Sequence, residues 1–371
     1  MKRESYAAAR IVSPTVHAYF ARRMKQYRNT GPGCPASVPE AEAIEAMIDA
    51  AFWASLRREE GYLPRISLAF LSPEEAHHPL VFERALPLAP APLTRIAPAV
   101  ERHGIHLGVW HSGEDLYVWG TTRTIPGYCF VLEVAAPGLL VVKHHSGDEA
   151  GKFVNVVLLE GDLIKLVDEH ASETPECPEL LTSLLGFAPS ASWAHSVNVL
   201  VRLALSMREH GRGGALLVVP ADSEAWRESI AAMAYPVSPP FAKLAELNEQ
   251  DAAHEELQRT IEWVAGLTAV DGAVLINDRY ELLGFGAKIS RRRGCPQVEE
   301  IMLTEPIQGQ VAARVHPDDL GGTRHLSAAQ FVHDQRDALA LVASQDGRFT
   351  VFEWSPCEKT VRGHRMEALL L

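Results

Sequence analysis

GALLVV, residues 214–219, is the stretch that decides the fold of the C-terminal half of this 371-residue chain. A glycine turn at residue 213 precedes it, and Pro220 follows it. A strand with one solvated face alternates apolar and polar residues, whereas a short run that is apolar throughout is typical of a strand buried on both faces. Residues 214–219 therefore predict a central strand of a sheet that is flanked by helices.

The segments around this strand predict a mixed α/β domain. Residues 190–210 and 241–267 carry apolar residues at helical spacing, the second segment with one or two breaks. Two hairpins follow, at residues 271–286 and 338–353, and each has an Asp-Gly or Asn-Asp pair that favours a tight turn. We therefore predict a mixed sheet with helices packed against it.

The N-terminal part of the chain predicts a helical segment followed by a mostly antiparallel sheet. Residues 7–25 and 39–58 have apolar residues at helical spacing, and a Gly- and Pro-rich break separates them. The proline-rich segment 87–92 predicts a stiff connection. The predicted strands are short β-branched or aromatic runs, at residues 65–71, 104–109, 116–121, 129–135, 138–144 and 153–160.

These patterns predict an α/β (α+β) fold in four segments. Residues 1–60 are a helical extension, and residues 61–177 are a β-rich domain. Residues 178–360 form the mixed α/β domain, and residues 361–371 are a tail.

Composition and charge disfavour several classes of function. The formal net charge is −12, from 35 basic and 47 acidic residues, and such an excess repels a nucleic-acid backbone. We therefore expect no DNA partner, although a small basic pocket for one nucleotide is compatible with this charge. The five cysteines form no C-x-x-C pair, which disfavours a zinc ribbon. Because we find neither a signal-peptide pattern nor a run of roughly 20 apolar residues, we expect a cytoplasmic protein with no membrane contact.

Two short motifs in the mixed α/β domain have the chemistry of a nucleotide site. Asp271 stands beside Gly272 where a strand begins, and a carboxylate there suits a divalent cation or a ribose hydroxyl. Gly-Gly-Thr at 321–323 precedes a helix, whose first backbone N–H groups and positive dipole end favour an anion. Arg324 and His325 add donors for phosphate oxygens in the first turn of that helix. Each motif alone is common, so the order and the strand context of the motifs carry the prediction.

The order of these motifs resembles that of the diadenylate cyclase domain, which is the N-terminal domain of the DNA-integrity scanning protein. The matching segments are GALLVV at 214–219, DGAVLI at 271–276 and GTRH at 322–325, followed by an apolar strand and a glycine hairpin. They correspond to the family's Asp-Gly-Ala and Arg-His-Arg motifs, and the resemblance covers residues 195–355. More particularly, the chain is similar to the DACNV-type probable sensor proteins, in which a different N-terminal region precedes a diverged cyclase-like domain.

The resemblance implies a role for each matching residue. In active members two domains face each other, and the 3′-hydroxyl of each bound ATP attacks the α-phosphate of the other, which gives cyclic di-AMP. Asp271 would hold Mg²⁺ or Mn²⁺, and Asp271, Arg324 and His325 would be the catalytic residues. The implied partners are ATP or a cyclic dinucleotide and a second copy of the chain. The residues implied to line the nucleotide are Gly214, Ala215, Gly272, Ala273, Gly322 and Thr323.

Two departures from the family pattern leave the activity open. Leu326 replaces the second arginine of the Arg-His-Arg motif, which removes a charge-assisted contact worth about 1.5–3 kcal/mol. Residues 343–345 replace the strand-end acidic residues of active members, with Asp346 one place further on. The basic run 291–293 is compatible with a solvated loop or with an additional phosphate contact.

Three hypotheses for the function follow from these matches and departures. The first is a sensor that binds a nucleotide without turnover, and the missing arginine and acidic residues favour it. The second is an active cyclase with a modified phosphate grip, which the retained Asp271, Arg324 and His325 favour. The third is a scaffold whose fold is kept and whose pocket is inactive. The sensor is the expectation that we carry forward.

Overall fold

The structure is a computed structural model, and it describes most of the chain as two compact units. The described residues are 5–30, 36–59, 61–102, 104–113, 115–145, 153–168, 199–248, 254–345 and 347–366. The two units divide between Val167 and Asp168. The boundary predicted at residues 177 and 178 lies outside the described residues.

The described helices of the first unit are α1 (Ala7–Thr30), α2 (Ala41–Ser55) and α3 (Pro90–Ile96). The apolar face predicted for the second of these is buried in the structure, since Ile44 and Met47 are both fully shielded from solvent. α3 corrects the prediction of a stiff connection over residues 87–92. Pro90 lies in the first turn of α3, where its fixed φ suits a helix and its missing N–H costs nothing.

The first sheet is mostly antiparallel, as the sequence predicts. Its described strands are β1 (Ile66–Phe70), β2 (Leu80–Pro87), β3 (His106–Ser112), β4 (Asp115–Thr122), β5 (Phe130–Ala136), β6 (Leu139–His145), β7 (Phe153–Glu160) and β8 (Leu163–Leu166). They lie in the order β2-β4-β3-β1-β5-β6-β7-β8, in which β1 and β3 are parallel and all other neighbours are antiparallel.

One apolar core joins the N-terminal helices to this sheet. Phe20 of α1, Ile48 of α2 and Phe130 of β5 belong to the same buried cluster. The ring centroids of Phe20 and Phe130 are 5.3 Å apart. The helical segment 1–60 and the β-rich segment, which the sequence analysis treats separately, therefore share one core.

The second unit is built on a mixed sheet that has nine strands in the described part of the chain. Its described helices are α4 (Val199–Glu209), α5 (Lys243–Asn248), α6 (His254–Leu267) and α7 (Asp318–Asp334). Its strands are β9 (Gly214–Val219), β10 (Ile230–Phe241), β11 (Ala273–Asn277), β12 (Leu282–Ile289), β13 (Ile301–Thr304), β14 (Ala313–Val315), β15 (Leu339–Ala343), β16 (Phe349–Ser355) and β17 (Thr360–Arg365). The strand order is β10-β12-β11-β9-β15-β16-β17-β13-β14.

β9 is the central strand that its sequence predicts. It pairs in parallel with β11 and antiparallel with β15, and each of its six residues is buried. Leu216 and Val218 pack into the apolar cluster that includes α4 and α6, whereas Leu217 packs into a second cluster with α7. Because helices cover both faces, a ligand can approach this part of the sheet at the ends of its strands.

Two segments of the second unit differ from the sequence prediction. Residues 361–365, predicted within a tail, continue β17, which pairs with β16 and β13. Residues 230–241 form the long strand β10 at the edge of the sheet, and Phe241 ends this strand instead of beginning a helix.

Candidate functional site

The strand pairing of the second sheet brings the Asp-Gly-Ala motif to its neighbours. β9 and β11 run parallel with Ala215 opposite Ala273, so the amino-terminal ends of both strands lie at one edge. β12 runs antiparallel to β11 with Ala287 opposite Ala273, which brings the end of β12 to the same edge. Asp271 and Gly272 directly precede β11 and therefore lie at this edge.

A break in α7 brings the second motif to the same place. Gly321 has φ 135° and ψ 105°, and Gly322 has φ 57° and ψ 179°, so neither glycine is helical. Such conformations are open almost only to glycine. The longer part of α7 therefore begins at Thr323, and its first backbone N–H groups have no carbonyl of a preceding turn to bond to. The Gly-Gly-Thr sequence thus precedes a helix start, as predicted.

Both motifs border one cavity of about 200 Å³. Six of the nine residues proposed from the sequence line it, namely Ala215, Asp271, Gly272, Ala273, Thr323 and Arg324. The remaining lining residues are Ala287, Lys288, Ile289 and Ser327. Residues that are more than 100 positions apart in the sequence therefore meet at one surface depression.

The charge at this cavity comes from one acid and two bases. The ammonium Nζ of Lys288 lies 2.5 Å from the carboxylate Oδ2 of Asp271. This hydrogen bond and charge lower the pKa of Asp271, and the guanidinium of Arg324 lowers it further. The Asp271 side chain is 89 % exposed and that of Lys288 is 51 % exposed, so both can reach a ligand from solvent.

Three polar side chains of α7 border the cavity with their hydrogen-bonding capacity unused. Among the described residues, the side chains of Thr323, Arg324 and Ser327 have no hydrogen-bond or ion-pair partner. A Cβ built on Gly213 would lie 3.1 Å from Nη1 of Arg324, which places the guanidinium beside the turn before β9. Two hydroxyls and a guanidinium at a helix start are hydrogen-bond donors of the type that phosphate oxygens accept.

The other three residues proposed from the sequence do not line the cavity. His325 is 1 % exposed, and its Nδ1 is hydrogen-bonded to the carbonyl oxygen of Gly321. This bond spans the glycine break and holds the helix start in place. Gly214 is buried, and a Cβ there would lie 2.6 Å from the carbonyl oxygen of Thr268, so close packing explains this glycine. Gly322 is exposed at the helix start.

The two departures from the cyclase pattern also have defined places. Leu326 is half-buried on α7 and does not line the cavity. Gln345, in the segment that replaces the strand-end acids, donates from Nε2 to the carbonyl oxygen of Arg212 at 3.4 Å. Asp346 lies outside the described residues.

Lys288 and Ser327 are the site residues that the sequence analysis missed. The turn at 277–279 does not by itself predict the position of Lys288, because the β11–β12 register shifts twice between Ile276 and Ala273 before Ala273 meets Ala287. A sequence signal exists for Ser327. Ser327 lies four residues after Thr323 and three after Arg324, which is the spacing of one helix face.

The described residues of the cavity offer a divalent cation a single carboxylate, that of Asp271. Within the described ranges, no group of three or more His, Cys, Asp or Glu side chains is arranged to hold a metal ion. Mg²⁺ at nucleotide sites uses one or two carboxylates together with phosphates. Asp271 is the one carboxylate among the described lining residues, and the ammonium of Lys288 already contacts it.

A second cavity of about 470 Å³ lies at the opposite end of α7, beside Trp226, Cys295 and His333. Its charged groups largely satisfy one another. Arg292 pairs with Glu228 at 2.6 Å, and the Nδ1 of His333 lies 2.9 Å from the buried carboxylate of Asp334. The basic run at 291–293 therefore contributes Arg292 to this cavity and not to the one beside Asp271. Because the opposite charges of this second cavity are paired with one another, they indicate no particular class of ligand.

Comparison with known proteins gives one family match. Residues 34–123 match the family described as "Probable sensor domain DACNV". This region lies in the first unit and includes β1 to β4, whereas the resemblance noted from the sequence rests on motifs of the second unit. No curated protein matches the chain.

Two solved structures show a distant similarity. One is a hypothetical membrane spanning protein from Bacillus cereus, with 16 % identity and a TM-score of 0.26 over 41 % of this chain and 57 % of that one. The other is a double mutant of DacA from Staphylococcus aureus, with 14 % identity and a TM-score of 0.25 over 44 % of this chain and 83 % of that one. The match thus spans little more than half of the first structure. None of the described helices of our chain is both long and apolar enough to cross a bilayer.

Proposed function

We propose that the second unit is a nucleotide-binding sensor, which binds ATP or a cyclic dinucleotide at the cavity beside Asp271 and Arg324 without turning it over. The observation that carries the proposal is the convergence of two distant motifs on this cavity. Asp271, Gly272 and Ala273 contribute one wall, and Thr323 and Arg324 contribute another. The match of residues 34–123 to a probable sensor domain supports a sensory role for the chain.

The cavity suits the phosphate end of a nucleotide. A guanidinium, an ammonium and two hydroxyls face it, and the start of a helix adds backbone donors and a positive dipole end. Its volume of about 200 Å³ is smaller than the roughly 300–1,000 Å³ of a pocket that encloses a drug-sized ligand. We therefore place the phosphate inside the cavity and the base outside it.

The same residues argue against turnover by this site. Leu326 supplies no donor to a triphosphate, and the acidic residues of active members have no counterpart in residues 343–345. Asp271, the residue that would bind the metal, is hydrogen-bonded to Lys288. A ligand can bind to such a site, but the groups that would activate a hydroxyl and stabilise the leaving pyrophosphate are reduced.

The experiment that tests the proposal separates binding from turnover. The purified protein is incubated with ATP and either Mg²⁺ or Mn²⁺, and the products are separated by chromatography. We expect no cyclic di-AMP, together with a rise in unfolding temperature when ATP or cyclic di-AMP is added, because a ligand that binds only the folded state stabilises it.

Two other results of this experiment would contradict the proposal. Cyclic di-AMP that disappears in the Asp271→Asn variant would make the protein an active cyclase. An unfolding temperature that no nucleotide changes, with no product, would mean that the cavity is not a nucleotide site. Turnover in the diadenylate cyclase family requires a face-to-face dimer. If cyclic di-AMP is formed, light scattering should therefore detect a dimer.

A further inference from the structure

We infer that the ammonium of Lys288 takes the place of a divalent cation beside Asp271, so that the cavity binds its phosphate ligand without a metal ion. This inference rests on the proposed nucleotide-binding function and specifies how that site recognises its ligand. A site without a metal ion also favours one class of ligand, in which each phosphate carries a single negative charge.

The position of Lys288 follows from the hairpin and is not accidental. Ala287 lies opposite Ala273 in the β11–β12 pair, so the residue after Ala287 is carried alongside the residues that precede β11. Gly272 has no side chain to separate the two strands, and a Cβ built on it would lie within 2.9 Å of backbone atoms of residues 286 and 287. The Nζ of Lys288 thereby comes within 2.5 Å of the Asp271 carboxylate.

An ammonium in this position can hold the acid and a phosphate at the same time. A lysine ammonium has three N–H donors, and the contact with Asp271 uses one of them. Both side chains are more than half exposed, at 51 % for Lys288 and 89 % for Asp271, so neither is shielded from a ligand that enters the cavity. Lys288 thus links the acid to a phosphate oxygen in the way that a bound cation would.

A divalent cation would compete with Lys288 for the carboxylate of Asp271. Asp271 is the one acidic residue among the described residues that line the cavity, and no acidic residue of 343–345 is available to replace it. Mg²⁺ demands nearly octahedral oxygen coordination and gives up its water reluctantly. The exposed carboxylate of Asp271, which is already paired with Lys288, would compensate Mg²⁺ only weakly for the loss of its bound water.

The charge of the cavity indicates the kind of phosphate. The lining carries one negative side chain, Asp271, and two positive ones, Lys288 and Arg324, so its formal charge is one positive. The helix start adds roughly half a positive charge. A phosphodiester carries one negative charge and matches this field, whereas a free triphosphate carries several and needs a metal ion to balance them. A cyclic dinucleotide therefore fits the metal-free site better than ATP does.

The experiment compares binding with and without metal in the full-length protein. Cyclic di-AMP and ATP are titrated calorimetrically, once in excess EDTA and once in excess Mg²⁺. We expect cyclic di-AMP to bind with the same affinity in both buffers and to bind more tightly than ATP in EDTA. Binding of cyclic di-AMP that needs Mg²⁺ would overturn the inference and leave the proposed nucleotide site intact. Absence of binding by either nucleotide in both buffers would overturn the proposed function itself.

A matched pair of lysine variants tests the residue directly. Lys288→Met keeps most of the length of the side chain and removes its charge, and Lys243→Met makes the same change at a half-buried lysine that also pairs with an acid, Glu256, and does not line the cavity. We expect Lys288→Met to bind cyclic di-AMP about tenfold to a hundredfold more weakly in EDTA, the usual effect of losing a hydrogen bond to a charged group.

Added Mg²⁺ should then restore part of the affinity of Lys288→Met, because the variant leaves Asp271 free for the cation. Mg²⁺ should not change the affinity of the wild type or of Lys243→Met. If Lys288→Met binds cyclic di-AMP in EDTA as tightly as Lys243→Met does, Lys288 does not contact the phosphate and the inference is wrong.

Discussion

Asp271 is an exposed acid, but its pKa depends on two neighbouring side chains, those of Lys288 and Arg324. Its hydrogen bond to Lys288 lowers its pKa most strongly, the charge of Lys288 adds to this effect, and Arg324 contributes from across the cavity. A lowered pKa means that the folded state binds the ionised form better than the unfolded state does. The pair therefore contributes stability at neutral pH, and this contribution is lost as the pH falls through the lowered pKa of the folded state.

We predict that the pKa of the Asp271 carboxyl lies below its ordinary value of 3.8 in the wild type and rises toward that value in Lys288→Met. The reason is that the largest cause of the shift is the contact with Lys288. An NMR titration of the side-chain carboxyl carbon measures both values. An Asp271 pKa that is the same in the two proteins would show that Lys288 does not contact the acid in solution.

The β11–β12 hairpin is the element that brings the charged pair together, and Gly272 permits its close approach. Gly272 has φ +106°, and a Cβ built there would lie 2.6 Å from the carbonyl carbon of Gly286. Real Cβ atoms are almost never so close to backbone, and L residues rarely adopt this φ. A side chain at position 272 would therefore push the two strands apart beside the cavity.

We predict that Gly272→Ala lowers the free energy of unfolding by more than Gly347→Ala does. Gly347 has φ +85° but nothing within 4 Å of a built Cβ, so its substitution causes backbone strain alone, at about 1–2 kcal/mol. Gly272→Ala adds a clash with backbone atoms to a comparable strain. Urea unfolding of both variants measures this difference. Equal losses of unfolding free energy would mean that the two strands of the hairpin can move apart without further destabilisation.

The sequence predicts those elements whose pattern is local and strong. β9 is apolar at all six positions, the hairpins have clear turns, and Gly-Gly-Thr precedes a helix start, so all of these are confirmed. β10 was missed because residues 230–241 contain three prolines and several alanines, which an edge strand tolerates but which do not favour a strand. β17 was missed because its residues are mostly polar, and its place is set by pairing with β16 and β13.

The site shows the same division between local and long-range information. The motifs that contain Asp271 and Arg324 were visible in the sequence, and the structure brings them to one cavity. Lys288 was not singled out, since its importance depends on the register of a hairpin and not on its sequence neighbours. The roles of Gly214 and His325 in packing and in holding the helix start could not be seen without the contacts of Thr268 and Gly321.

The molecule as a whole consists of two units, each with its own apolar core. Among the described residues, the first unit contains one large and one small apolar cluster, and the second unit contains two, one on each face of its sheet. The region that matches a probable sensor domain and the cavity beside Asp271 therefore belong to different units.

We predict that the chain can be divided into two fragments, residues 1–167 and 168–371, that fold separately. The buried apolar clusters of the described residues each lie within one unit, which favours separate folding of the two fragments. Circular dichroism and urea unfolding of each fragment test whether it folds on its own. Fragment 168–371 should bind cyclic di-AMP as tightly as the full chain does, and a cooperative transition should be seen for both fragments. Unfolded or aggregated fragments would show that the two cores depend on each other.

The measurement that tests the central claim most directly is a calorimetric titration of cyclic di-AMP into the wild type, Arg324→Gln and Arg259→Gln. Arg324 borders the cavity and has no hydrogen-bond or ion-pair partner among the described residues, whereas Arg259 is an exposed helical residue that pairs with Glu255. We predict saturable binding by the wild type and Arg259→Gln, and binding about tenfold to a hundredfold weaker by Arg324→Gln, with its unfolding temperature unchanged. Equal affinities in all three proteins would place the ligand elsewhere and contradict the account.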